Sequence, residues 1–506
     1  MLREIKWCVV LVCFMPVVVA AQLRTKEEIA VAARKELPRA TSDLREFLAI
    51  PNDGHYPEQI EANRIWITEA FAQRGFAVET IHTPGAPHVF AEKKFVKKGK
   101  TVLFYLQIDG QPADATAWDQ ENPFDAVVKE AENKTWRTLA WPDFNKTFNP
   151  DWRIFARSAS DSKGPALCFL TALTVLEKNK VKPNFNIKVI MDFQEEMSSP
   201  QLAWVVQNHQ ALLQADMVLI MDGTRHVSNL PTLTFGARGI ATMTLKVYGP
   251  RNALHSGQYG NYAPNPVFAL AKLLAGLKDE EGRVTLPGFY DGIALSAQDK
   301  AALNNIPEDP TLINQTLGIA RPEGVGNTYQ EAMQYPTLNV RGLRAAWVGK
   351  EVRTIIPEEA IAEIDMRLVV ESPGEKLVQI FKTYIEQQGF HLTDGSPTDE
   401  ERSKYPKLAS LTYGLGSAPF RTDLNTELGH WLSRAHERLF GKNYVMMRTT
   451  GGSQPIAPFI QTLGIPAVSV RIPNPDNNIH SPNENIRVGN LLEGIETMVA
   501  VLTEKL

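Results

Sequence analysis

Apolar residues recur at helical spacing from Thr25 to Leu37 and from Glu58 to Gln73. Between them, Leu44-Arg45-Glu46-Phe47-Leu48 runs into Ile50-Pro51. Thr101–Ile108 (TVLFYLQI) reads as a buried strand, and the polar stretch from Gln111 to Trp152, rich in Trp and Phe, as an ordered loop. The pattern then predicts a helix over Gly164–Leu176, a strand over Phe185–Phe193, a helix over Gln201–Leu213 and a strand over Met217–Met221. Strand and helix alternate here, which predicts a largely parallel sheet covered by helices. Such sheets form their sites at the carboxyl ends of the strands.

From Ile240 to Tyr248 the pattern alternates, with Ala241, Met243 and Leu245 against Thr242, Thr244 and Lys246, as in a half-solvated strand. A helix at Pro266–Leu277, a strand at Ala360–Val369, a helix at Glu375–Gln388 and a strand at Leu408–Tyr413 follow. This change of rhythm predicts a second, α+β unit over 236–423, inserted into a first unit over 22–235 and 424–506. The first unit resumes with the helix Glu427–Phe440, the strand Ala467–Ile472 and the helix Leu491–Leu506. A chain of 506 residues suffices for such a division.

Residues 1–21 differ from all of this. Arg3 and Lys6 precede an apolar run ending in Val19-Ala20-Ala21, the pattern of a signal peptide cleaved before Gln22. The run is short for a spanning helix, and no other segment is apolar enough for one, so the expected mature protein is secreted or periplasmic with no membrane anchor. Cys8 and Cys13 fall within that leader, so Cys168 alone remains and no internal disulfide is expected. The net charge of −4 gives no electrostatic case for nucleic acid.

Acidic residues stand where the apolar runs end: Asp109, the pair Glu195-Glu196, and Asp222. Asp161 lies between an expected strand end and a helix start, and His480 in a polar loop before the last helix. Each has a plain structural reading as well. Asp161 suits a helix N-cap and Asp222 a turn; Glu195-Glu196 and His480 suit a solvated surface. Together, carboxylates and an imidazole form a ligand set suited to zinc.

The order and spacing of short segments resemble one family of zinc exopeptidases and amidohydrolases, that of carboxypeptidase G, carnosinase, aminoacylase and succinyl-diaminopimelate desuccinylase. The segments include Phe47-Leu48-Ala49-Ile50-Pro51, Asn122-Pro123-Phe124, Ala156–Gly164, Glu195–Ser199, Leu254-His255-Ser256-Gly257, Thr354–Pro357, Met366-Arg367-Leu368, Gly451-Gly452-Ser453 and His480–Glu484. The resemblance implies an α/β catalytic domain with an inserted α+β lid that dimerises. It implies one or two Zn2+ per chain, with Asp161 shared between sites, Glu196 and His480 completing one, and Asp222 serving the other. Glu195 would be the general base, and Asp109 would orient a ligand. His255 would steady the developing oxyanion, reaching the site from the partner subunit. Arg367, Gly452 and Ser453 would hold the substrate carboxylate. The implied reaction is hydrolysis of an amide bond in a small peptide or an N-acyl amino acid.

One position departs from the family. Gln107 stands where the resemblance calls for a histidine ligand, and an amide oxygen binds zinc more weakly than an imidazole nitrogen. One zinc can suffice, or Gln107 can hold a weaker second ion, or the chain binds peptides without cutting them.

Overall fold

The computed structural model describes residues 23–133, 135–144 and 146–506; the expected signal peptide lies outside the described residues. An 8-stranded sheet forms the centre of the larger unit. Its middle strands, Asn186–Asp192, Thr101–Gln107, Met217–Ile220 and Ala467–Arg471, run parallel to one another. Ala77–Ile81 and His88–Lys93 extend it antiparallel on one side, and Thr232–Thr234 with Val445–Met447 on the other.

Helices on both faces explain why the central strands read as unbroken apolar runs. In Thr101–Gln107, Val102, Phe104 and Leu106 enter one core with the helices Lys26–Leu48, Lys163–Lys178 and Val488–Thr503. Leu103 and Tyr105 enter the opposite core with Leu202, Val205 and Phe459. The first helix is continuous through Pro38, joining segments the sequence pattern had kept apart. The stretch 111–152 is more regular than a loop. Val127–Glu132 and Thr135–Leu139 form a hairpin that pairs with Arg153–Phe155, which in turn pairs with Asn485–Arg487. That small sheet brings the segment before Asp161 beside the segment after His480.

The expected insert has its own 5-stranded sheet, ordered Asn339–Arg344, Glu359–Leu368, Gly239–Tyr248, Leu408–Leu415, His391–Thr393. Its separate core sits under the helices Pro266–Ala275 and Gly374–Gln387, and Ala241, Met243, Leu245 and Val247 face inward as the alternation predicts. The long stretch 279–335 docks back onto the larger unit. Arg448 donates from Nε to Asp299 Oδ1 (3.0 Å) and from Nη1 to Gln334 Oε1 (2.7 Å), and His226 Nε2 meets Glu308 Oε1 at 3.1 Å.

Candidate active site

Asp161, Glu196 and His480 converge so that one ligand atom from each lies within 4.8 Å of the others. His480 Nε2 is 3.0 Å from Asp161 Oδ2 and 3.2 Å from Glu196 Oε2. Two carboxylates and an imidazole at this spacing fit a divalent cation of the zinc type, and three protein ligands leave a four-coordinate ion one position for a water or substrate.

Each ligand is held by its own local structure. The segment 156–162 bends around Glu484, which is fully buried. Its carboxylate accepts from Arg157 Nη1 (2.7 Å), the amides of Ser158 (3.0 Å), Ser160 (2.9 Å) and Asp161 (2.9 Å), and Ser160 Oγ (2.8 Å). Asp161 is therefore not a helix cap; the cap position of Lys163–Lys178 is Ser162, and the Asp161–Ser162 peptide is cis. Glu195 and Glu196 lie in a 3-10 turn after the strand Asn186–Asp192. Asp109 fixes that turn by accepting from Glu195 N (2.9 Å) and Glu196 N (3.0 Å). Positive φ angles at Ser158, Ser198, Ser199 and His480 flank the site, a clustering of strain that accompanies functional loops.

The electrostatics match a cation site. Burial drives the Asp161 carboxyl well above the usual range, with Glu196, Asp222 and Glu484 adding repulsion against the opposing His480 contact. Burial first, then Asp222, Asp161, Glu196 and Asp109, does the same to Glu195. His480 is pushed up to about 10 by its bonds to Asp161 and Glu196. Positive charge placed among these groups relieves the repulsion.

Gln107 is buried beside them. Its Nε2 donates to Glu196 Oε1 at 3.2 Å, which leaves Oε1 facing Ser162 Oγ at 3.5 Å. Asp222 accepts from Ser162 Oγ at 3.1 Å and from Gln454 Nε2 at 2.9 Å. Gln454 links this centre to the loop Gly451-Gly452-Ser453, where Ser453 Oγ accepts from Arg367 Nη1 at 3.1 Å. A Cβ on Gly452 would meet nothing within 4 Å, so that backbone is open to a ligand. Arg238, which the sequence did not single out, lies near Arg367, and its buried Nε has no hydrogen-bond partner among the described residues. His255 is exposed; its Nδ1 accepts from Gly257 N at 3.0 Å, and among the described residues no hydrogen bond or ion pair joins it to Asp161, Glu196 or His480.

Sequence reasoning also missed Ser162, Gln111, Gln454, Glu484 and Arg471. Ser162 and Glu484 lay within the family-like segments without a role, whereas Arg471 ends a strand that the pattern marked only as apolar.

The chain is similar to known metallopeptidases. A Beta-Ala-His dipeptidase of Mus musculus is 26% identical over 487 residues, covering 91% of this chain and 92% of that protein. A Cys-Gly metallodipeptidase of Schizosaccharomyces pombe is 25% identical over 415 residues, 80% of each. Among solved structures, the M20 family metallo-carboxypeptidase Sso-CP2 from Sulfolobus solfataricus superposes with a TM-score of 0.73 at 26% identity, over 92% of this chain and 98% of that one. The description Peptidase family M20/M25/M40 matches residues 122–504, so the chain belongs to this family and is a hydrolytic metallopeptidase.

Proposed function

We propose that the protein is a secreted or periplasmic zinc dipeptidase or carboxypeptidase acting on small peptides. The observation that carries this reading is the convergence of Asp161, Glu196 and His480 beside Glu195. Those three residues would hold the ion. When bound, zinc lowers the pKa of a water and polarises the scissile carbonyl.

The chain's own groups supply the rest. Glu195 takes the water proton and passes it to the leaving amine. Asp109 holds the Glu195 backbone through the amide bonds above, which fixes where that carboxylate can reach. Arg367 and Ser453 bind the substrate's terminal carboxylate, a task for which the forked guanidinium is suited. The relatives named for Beta-Ala-His and Cys-Gly dipeptides support a dipeptide as substrate. His255 completes the site from a second subunit, docked through the 236–423 lid.

The test is zinc content of the mature protein, measured with hydrolysis of a panel of dipeptides and N-acyl amino acids. Glu195→Ala is the control. Zinc with dipeptide turnover that vanishes in the variant is expected. Turnover confined to N-acyl amino acids would make it an amidohydrolase. Absence of both zinc and turnover would leave a peptide-binding protein.

A further inference from the structure

Ser162 Oγ stands where a second ion's ligands converge. It is 3.0 Å from Asp161 Oδ1, 3.1 Å from Asp222 Oδ1 and 3.5 Å from Gln107 Oε1. A metal needs such oxygens at about 2.0–2.2 Å, in the space this hydroxyl fills. The other Asp222 oxygen is taken by Gln454. The Gln107 amide supplies no imidazole nitrogen. This donor set does not fit a second zinc.

Positive charge nevertheless reaches this side of the site. Arg471 ends the strand Ala467–Arg471, which runs parallel to Met217–Ile220 with Ser469 opposite Ile220. Two positions on in that register, Arg471 comes beside Asp222. The residue is 8% exposed, and its Nε and Nη2 have no hydrogen-bond partner among the described residues. Its electrostatic neighbours are Asp222, Asp161 and Glu195. A buried guanidinium with unmet N–H groups is costly unless nearby negative charge offsets it. The chain also makes room for it: a Cβ on Gly223, whose φ is +89°, would come within 1.2 Å of Arg471 Nη1.

We propose that Arg471 is a built-in second cation, which with Ser162 replaces the second metal ion and makes this a one-metal enzyme. Arg471 is a positioning residue. It balances Asp222 and Asp161 and so keeps them arranged around a single ion. The proposal rests on the metallopeptidase reading above.

The test is metal stoichiometry. The wild-type protein is loaded with excess zinc, dialysed and analysed for metal, alongside Arg471→Lys and the triple variant Gln107→His/Ser162→Gly/Arg471→Met, which also removes the hydroxyl from the second ion's space. About one zinc per chain is expected for wild type and for Arg471→Lys, and about two for the triple variant. A gained site is a result that loss of a purely structural arginine would not give. Two zinc ions in active wild-type protein would overturn this inference while leaving the metallopeptidase intact. A folded triple variant that holds only one would overturn it too. If the triple variant does not fold, the wild-type stoichiometry and a titration of Arg471→Lys, expected to show a single site, decide. No zinc and no turnover in wild type would instead bring down the parent reading, and this one with it.

Discussion

Glu195 and Glu484 are both glutamates set in the same polar centre, and their surroundings predict different failures. Among the described residues Glu195 accepts no hydrogen bond through its side chain, while Asp109 fixes its backbone. Glu195→Gln should therefore leave the fold and the metal in place and lower kcat by about 10²–10⁴-fold, the usual worth of a general base. Steady-state kinetics beside elemental analysis reads both quantities; loss of the metal together with activity would make Glu195 a ligand instead. Glu484 accepts five hydrogen bonds, one of them from buried Arg157. Glu484→Gln turns an acceptor edge into N–H groups facing other donors and strands a buried guanidinium. The expected cost is about 3–5 kcal/mol in urea unfolding, with weaker metal binding because Asp161 loses its anchor.

At the scale of elements, the sheet was legible because burial on both faces demands continuous apolar strands, and Thr101–Gln107 and Met217–Ile220 meet that demand. The ends of those strands carry Asp109 and Asp222, so part of the site was legible with them. Edge strands such as Ala77–Ile81 have one exposed face and mixed composition, and they escaped notice. So did the hairpin within 111–152, whose second strand is almost wholly exposed. Arg471 was invisible because the meaning of a basic residue at a strand end depends on which strand lies beside it, and pairing is not written in one segment. The helix Glu427–Phe440, by contrast, was read to the residue, and it carries a titrating group of its own. Burial pushes His436 down to about 4, against the bond its Nδ1–H donates to Leu432 O. The unfolded chain takes up this proton near pH 6.5, whereas the folded protein resists until about pH 4. The stability His436 contributes is thus complete above pH 6.5 and lost as pH falls toward 4. The loss is up to roughly 3 kcal/mol over that window. Thermal unfolding between pH 4 and 7 should show this slope in wild type and a flatter one in His436→Gln.

For the whole molecule the outstanding question is how exposed His255 takes part, when the chemistry asks for a group on the developing oxyanion and, among the described residues, no hydrogen bond or ion pair joins it to Asp161, Glu196 or His480. An exposed imidazole on a two-residue strand paired with Ile355-Ile356 is well placed to face another molecule. If two lids dock as a symmetric pair, each site takes Glu195 from one chain and His255 from the other. That arrangement has a signature that no single-chain site can imitate. Glu195→Ala and His255→Ala should each be nearly inactive as pure proteins. Mixed in equal amounts and allowed to exchange subunits, half of the dimers are hybrids, and each hybrid contains one site with both Glu195 and His255 intact. Activity should then rise to about a quarter of the wild-type level. A site assembled within one chain gives no recovery at any mixing ratio, because every chain then lacks one of the two groups. Sedimentation of the same mixtures separates failure to exchange from failure to complement, so a flat response in exchanging dimers would place Glu195 and His255 in a site of one chain, and full activity of pure His255→Ala would place His255 outside the reaction.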